Sequence, residues 1–393
     1  MKYFVVIGDG MSDLPLKALG GKTPLEAAKT PNLDYIAQYG VCGWTKNVPT
    51  GMIPGSDVAA MSIFGYDPKK GYTGRGPLEA ASLGVKLGEK DIAFRCNLVT
   101  VKNGTMADFT AGHISTEDAK RVFRELNKKI GSKNIEFIPG LSYRNLLVFR
   151  NLSGGEMQRL VGTKTTPPHD ISGKKIGSYL PKGRGEETLL SIINESELIL
   201  RKIRSKATII WPWGQGGQPR IESFSGKYKK SGAVITAVHL LKGLGLITGM
   251  EVINVPGATG YLDTNYSGKA KYAINAIKRH EVVFVHVEAP DEAGHEGDVR
   301  HKIRAIEDFD RLVVGPILEK IRLKKINAKI LVLPDHPTPI KYMTHTADPV
   351  PFAIFSSYNK LCSARIKGYS ERQIRKSKFK IKHGHELLTY LFK

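Results

Sequence analysis

Cysteine is scarce in this 393-residue chain: Cys42, Cys96 and Cys362 are odd in number and far apart. Such spacing gives neither a disulfide framework nor a CxxC metal pattern, so the three read as small core residues. No stretch approaches the roughly 20 apolar residues of a spanning helix, and the opening run Tyr3 to Ile7 is too short for a signal-peptide core. A cytoplasmic protein with no membrane partner is expected. The chain has no internal repeat and no low-complexity segment beyond a biased Lys/Arg-rich tail, Arg372 to Lys382. A GxxxxGK[ST] phosphate loop is also missing.

Negative charge is in short supply. Asp+Glu number 37 against 59 Lys+Arg, a formal net charge of +22. The excess is compatible with nucleic-acid binding, with attraction of an anionic membrane or small substrate, or with a generally basic proteome. Its texture favours a solvated basic face: it lies in scattered pairs such as Lys69-Lys70, Lys128-Lys129, Lys229-Lys230 and Lys324-Lys325 and in the tail. No helix-turn-helix, zinc knuckle or aromatic RNP-like segment accompanies it, so no nucleic-acid partner is expected. Apolar residues at 41% and charged residues at 24% describe a globular chain, long enough for two domains.

Continuous apolar runs at Tyr3 to Ile7, Glu281 to Glu288, Lys329 to Leu333 and Pro351 to Phe355 read as strands buried on both faces of a parallel sheet. Between them, Thr30-Pro31 reads as an N-cap with Pro at the first helical position. His301 to Ile321 has helical apolar spacing, with Pro316 expected to kink it. The alternation implies an α/β fold. From about Asp91 to Lys206 the pattern changes to short strands, Phe94 to Val101 and Asn145 to Phe149, and a helix from Thr116 to Ile130. An α+β domain at 91–206, inserted into a discontinuous core of 1–90 and 207–393, fits that shift.

Acidic and histidine residues fall where strands end, the place where open α/β sheets bind ligands. Asp9 follows the first strand between two glycines, Asp291-x-x-x-His295 follows the second run, Asp335-His336 follows the third, and His345 comes nine residues later. Ser56, in Pro54-Gly55-Ser56-Asp57, precedes an apolar helical stretch. Singly, each has an ordinary explanation as a turn, a solvated helix face or an N-cap. Three Asp and three His at separate strand ends, with one Ser, suit two divalent ions roughly 4 Å apart. A cation beside Ser56 would stabilise its alkoxide, as zinc lowers the pKa of bound water to about 7.

These residues also carry a resemblance. Gly8-Asp9-Gly10, Thr30 to Asp34, Pro54 to Asp57 with Gly65 to Pro68, Tyr72 to Pro77, Asp291 to His295 and Pro334-Asp335-His336 occur in order. Together they resemble the archaeal-type, 2,3-bisphosphoglycerate-independent phosphoglycerate mutases of the alkaline phosphatase superfamily, along nearly the whole chain. The resemblance implies a three-layer core with a largely parallel sheet and a cap over the substrate. It makes Ser56 a nucleophile that carries the phosphoryl group between the hydroxyls of phosphoglycerate, a small phosphorylated carboxylate, without bisphosphoglycerate. One ion would be held by Asp9, Ser56, Asp335 and His336, the other by Asp291, His295 and His345. Mn²⁺ or Mg²⁺ is implied, while imidazole-rich ligation also suits Co²⁺ or Zn²⁺.

In the cap the resemblance offers Arg95 and Arg144 as clamps for carboxylate and phosphate, His113 as acid/base and Lys269 in the core as neutraliser of the phosphate, with Arg75 either a loop clasp or a substrate ligand. Trp211 to Gly216, His286 to Pro290 and Ala107 to His113 are similar to a bacterial branch sometimes labelled a proposed homoserine kinase. That alternative is a phosphotransferase or phosphatase using the same metal and serine.

Overall fold

An apolar run with no polar face must be covered on both sides. In the structure, a computed structural model that describes residues 1–323, 326–358 and 366–393, Tyr3 to Ile7 lies within the strand Lys2–Gly8, inside an eight-stranded sheet. The neighbours of this strand are Ala328–Leu333 and Val282–Val287, both parallel to it. Strand Gly232–Ile235 continues the parallel set, and Val350–Ser356 runs antiparallel between Ala328–Leu333 and Val41–Thr45. The sheet is thus largely parallel, as expected. Lys324-Lys325 and Cys362 lie outside the described residues; Cys42 and Cys96 are buried core residues. Among the described residues no helix is long and apolar enough to cross a membrane.

The chain divides into two compact units, Met1–Tyr72 with Ile221–Lys393, and Thr73–Arg220. The second is larger than the 91–206 read from sequence. Strand Ile209–Gly217 pairs with the central strand Ile92–Lys102 of the second unit, and helix Arg75–Ser82 packs on both. A strand's apolar pattern shows that it is buried, not which sheet it joins, so both elements looked like core. Strands Thr105–Asp108, Arg144–Phe149 and Ile135–Leu141 complete this antiparallel sheet, and helices Thr116–Lys129 and Glu186–Lys202 cover it.

Three local expectations are revised. Thr30 does stand at the N-cap position with Pro31 first in helix Pro31–Gln38, but its side chain does not cap the helix. The carboxylate of Asp310 does so instead, accepting from the N–H of Leu33 at 2.7 Å, the N–H of Asn32 at 3.2 Å and the Asn32 side-chain amide at 2.8 Å. Pro316 does not simply kink a helix either. A π-helical turn, Asp310–Val314, joins helices Val299–Phe309 and Gly315–Leu323, and its wider winding gives the proline ring room. The tail, read as solvated, is only partly so: its cations are exposed, but Ile374 and Ile381 are buried and Lys380–Ile381 is a strand paired with Val41–Thr45.

Burial raises the Asp310 carboxyl to about 6, although the N–H donors oppose this. The folded state therefore holds that proton more tightly than the unfolded chain, and stability falls as pH rises through the window between about 4 and 6. Asp310→Asn should remove this part of the pH dependence. Asp310→Ala, which strands buried donors, should lower stability by about 1–3 kcal/mol; urea denaturation of both variants across pH checks both.

Candidate metal and active centre

Strand register brings the carboxylates together. Ile7 pairs with His286 on one side and Leu333 on the other, so Asp9, Asp291 and Asp335 follow the carboxyl ends of three adjacent strands. Between them the backbone turns at Gly10, φ +59°, where any Cβ would strike Asp291 and Thr338. Gly10 N–H and His336 N–H both donate to Asp335 Oδ1, at 3.0 and 2.7 Å. That leaves Asp335 Oδ2, like Asp9 Oδ1, buried with no hydrogen-bond partner. Burial, then the adjacent charges of Asp335 and Asp291, raise the Asp9 carboxyl well above its ordinary value.

Opposite this cluster, Asp291 and His295 sit one turn apart on helix Ala289–His295, and His295 Nε2 is 3.2 Å from Asp291 Oδ2. His345 Nε2 approaches Asp291 Oδ1 at 3.5 Å and His295 Nε2 at 2.9 Å. The two Nε2 atoms face each other and the same carboxylate, and they converge as ligands do. Burial alone would raise the Asp291 carboxyl, but hydrogen bonds from the two histidines hold it well below the usual range. Burial lowers His336 to about 4, so its ring is neutral and its lone pair free to bind. Orphaned carboxylate oxygens, the neutral His336 ring and the converging nitrogens of His295 and His345 fit divalent cations. Among the described residues three ligand groups emerge: Asp291 with His295 and His345, Asp9 with Asp291 and His336, and Asp9 with His286 and Asp335.

Ser56 opens helix Ser56–Ile63, where unpaired N–H groups and the helix dipole favour negative charge. Its Oγ lies 3.4 Å from Asp9 Oδ2 and 3.3 Å from His336 Nε2. Seven residues singled out from sequence, Asp9, Ser56, Asp291, His295, Asp335, His336 and His345, thus stand together in one unit.

The sequence profile of the 2,3-bisphosphoglycerate-independent phosphoglycerate mutases matches residues 37–204. A protein of that name from Methanosarcina barkeri is 49% identical, with the alignment covering 100% of both chains. The chain belongs to this family. Among solved structures, a Pyrococcus horikoshii protein is 30% identical with a TM-score of 0.81, covering 100% of this chain and 96% of that one. The cofactor-independent phosphoglycerate mutase of Thermoplasma acidophilum is 26% identical with a TM-score of 0.66, covering 100% and 99%.

Behind the seven residues of this family member stands support that sequence reading missed. His286 Nε2 is 3.1 Å from Asp9 Oδ2, and its Nδ1 is 3.0 Å from Glu288 Oε1. Glu288 also accepts from Lys269 Nζ at 2.7 Å, from Thr236 Oγ1 at 2.9 Å and from Ala237 N–H at 3.0 Å. A carboxylate behind a histidine fixes the ring and its tautomer. The signal was available, because His286 and Glu288 are two apart at a strand end and so share a face. Lys269, expected to touch substrate, is fully buried, its ammonium bound to Glu288 and the carbonyl of His286. On the far side Lys302 Nζ, also fully buried, joins Asp13 Oδ2 at 2.8 Å to the carbonyl of Thr338 at 2.7 Å, while Thr338 Oγ1 donates to Asp291 Oδ1.

In the other unit, Arg95 is buried against Glu79 at 3.0 Å, and the Trp213 ring lies 4.9 Å from the Arg95 guanidinium and 5.5 Å from that of Arg75. Arg144 is exposed and stacks on Tyr143 at 5.1 Å. Burial, then the positive charges of Arg144 and Arg75, lower the Arg95 pKa against the support of Glu79, so the three arginines form one cluster. His113 is exposed on a loop in which Ala111, Gly112 and His113 all have positive φ. Asp108 holds that loop by accepting from Thr110 N–H and Gly112 N–H.

Glu288→Ala would leave the Lys269 ammonium buried and unpaired. A loss of about 3–5 kcal/mol in urea denaturation is expected, with substantial recovery in Lys269→Met/Glu288→Gln.

Proposed function

We propose that this chain interconverts 3- and 2-phosphoglycerate through a phosphoserine at Ser56, without bisphosphoglycerate. The observation that carries the reading is the position of Ser56 Oγ, at a helix start and within 3.4 Å of both Asp9 and His336. Asp9, Ser56, Asp335 and His336 would hold one divalent ion, and Asp291, His295 and His345 the other, with Mn²⁺ or Mg²⁺ the fitting choices and Co²⁺ or Zn²⁺ compatible with the imidazoles. When bound, these ions supply positive charge for the phosphoryl oxygens and lower the pKa of the serine hydroxyl.

In the first half-reaction the Ser56 Oγ–phosphorus bond forms as the substrate's ester C–O–P bond breaks at phosphorus. The Oγ proton is lost and the departing glycerate oxygen gains one. In the second half the other glycerate hydroxyl attacks phosphoserine and the proton movements reverse. The helix N-terminus stabilises charge on Ser56 and on the transferred group. His113, an exposed imidazole, is the proposed acid/base for the glycerate hydroxyls. Arg144 and Arg75 are proposed to bind carboxylate and phosphate, with Arg95 anchoring them through Glu79 and Trp213. Lys269 acts through Glu288 and His286 to position Asp9.

With Mn²⁺ and no bisphosphoglycerate, an assay coupled to consumption of 2-phosphoglycerate should show turnover that EDTA abolishes. Ser56→Ala should reduce kcat at least about 10³-fold. No EDTA-sensitive turnover, or phosphorylation of homoserine in its place, would overturn the reading. Because the substrate is an anion and the chain carries +22, kcat/KM should also fall as ionic strength rises.

A further inference from the structure

The basic tail takes no part in this chemistry, yet it is built into the sheet rather than left loose. Strand Lys380–Ile381 lies parallel to Val41–Thr45, and beside their carboxyl ends opens a cavity of about 630 Å³. That volume falls in the range of small-molecule sites. None of the seven residues at the metal centre lines it. Its apolar wall comes from Trp44, Pro337, Pro339, Pro349 and Ile381, and the Trp44 indole is fixed by its N–H donating to the carbonyl of Ile374 at 3.2 Å.

Four cations, Lys46, Arg375, Lys380 and Lys382, share the lining, and none of them pairs with a carboxylate among the described residues. The acids there are mostly engaged. Asp13 is held by Lys302, and Glu371 accepts from Asp13 N–H and Thr23 Oγ1; Asp348 alone stands exposed. A second cavity of about 300 Å³ is lined by Lys46, Lys69, Lys382, His383 and His385. Lys46 and Lys382 line both cavities and so mark where they meet. The acid of the smaller one, Asp67, caps the turn at Lys69.

We propose that the two cavities form one binding site for a nucleoside polyphosphate, its heterocycle against Trp44 and the prolines and its phosphates over Lys46, Lys382 and the smaller cavity. A bare polyphosphate would leave the apolar wall wet, and an uncharged ring compound would leave the cations unpaired; a ligand with both parts satisfies both halves. The lysines act as point charges on phosphate, and Arg375 adds a guanidinium fork.

Calorimetric titration of the full chain, stripped of metal with EDTA, with ATP, inorganic tripolyphosphate and adenosine tests this. ATP should bind at least about tenfold more tightly than either part alone. Arg375→Gln/Lys382→Gln, both at exposed positions, should weaken ATP by about tenfold or more while mutase turnover with Mn²⁺ stays within about twofold. Trp44→Leu should weaken ATP and leave tripolyphosphate unchanged. Equal binding of ATP and tripolyphosphate would reduce the site to a basic patch and overturn the proposal. So would the absence of ATP binding, or ATP binding that survives the double variant and is displaced by 3-phosphoglycerate, which would put the nucleotide at the metal centre.

Discussion

Burying Asp9, Asp291 and Asp335 at neighbouring strand ends brings like charges together where water cannot screen them, and one of them, Asp9, is driven toward its protonated form as a result. The surrounding structure answers that repulsion. Backbone N–H groups of Gly10 and His336 fix Asp335, His295 and His345 draw on Asp291, and His286 leans on Asp9. Asp9 Oδ1 and Asp335 Oδ2 stay unsatisfied. A cation bound at such a cluster would relieve a repulsion already present.

Two buried lysines hold this arrangement from opposite sides. Lys269 acts through Glu288 and His286 on Asp9, and Lys302 ties the loop after Asp9 to the loop after His336. Neither contributes through surface charge. Both are fully desolvated, so their value is geometric: an ammonium that loses its partners inside the protein is far costlier than one that keeps them, and the loops are held to the positions that satisfy it. The +22 charge therefore has separable parts, namely buried staples, an arginine cluster around Trp213 and Tyr143, and the cations around Trp44 at the sheet edge.

Most of the centre was legible in the chain. Asp9, Asp335 and His336 follow strands of continuous apolar character, Asp291 and His295 carry helical spacing, and Ser56 precedes an apolar helix. Periodicity and strand ends are local signals, and local signals survive in a single sequence. Harder to see were Asp310 as the cap of Pro31–Gln38, the pairing of Ile209–Gly217 with Ile92–Lys102, and the strand inside the basic tail. Each depends on a partner far away in the chain, and no residue type or spacing near the element names that partner.

The sequence by itself determined an α/β core with an α+β insertion and placed the metal-type ligands at strand ends, because burial on two faces demands unbroken apolar runs and turns demand Gly, Pro and Asp. Only the tertiary structure decided that His286 and Glu288 join the centre, that Lys269 stands behind it rather than in the open, and that the tail closes a cavity against Trp44. The reason is that charge compensation and cavity shape are set by which strands lie side by side, and strand order is a property of the whole fold.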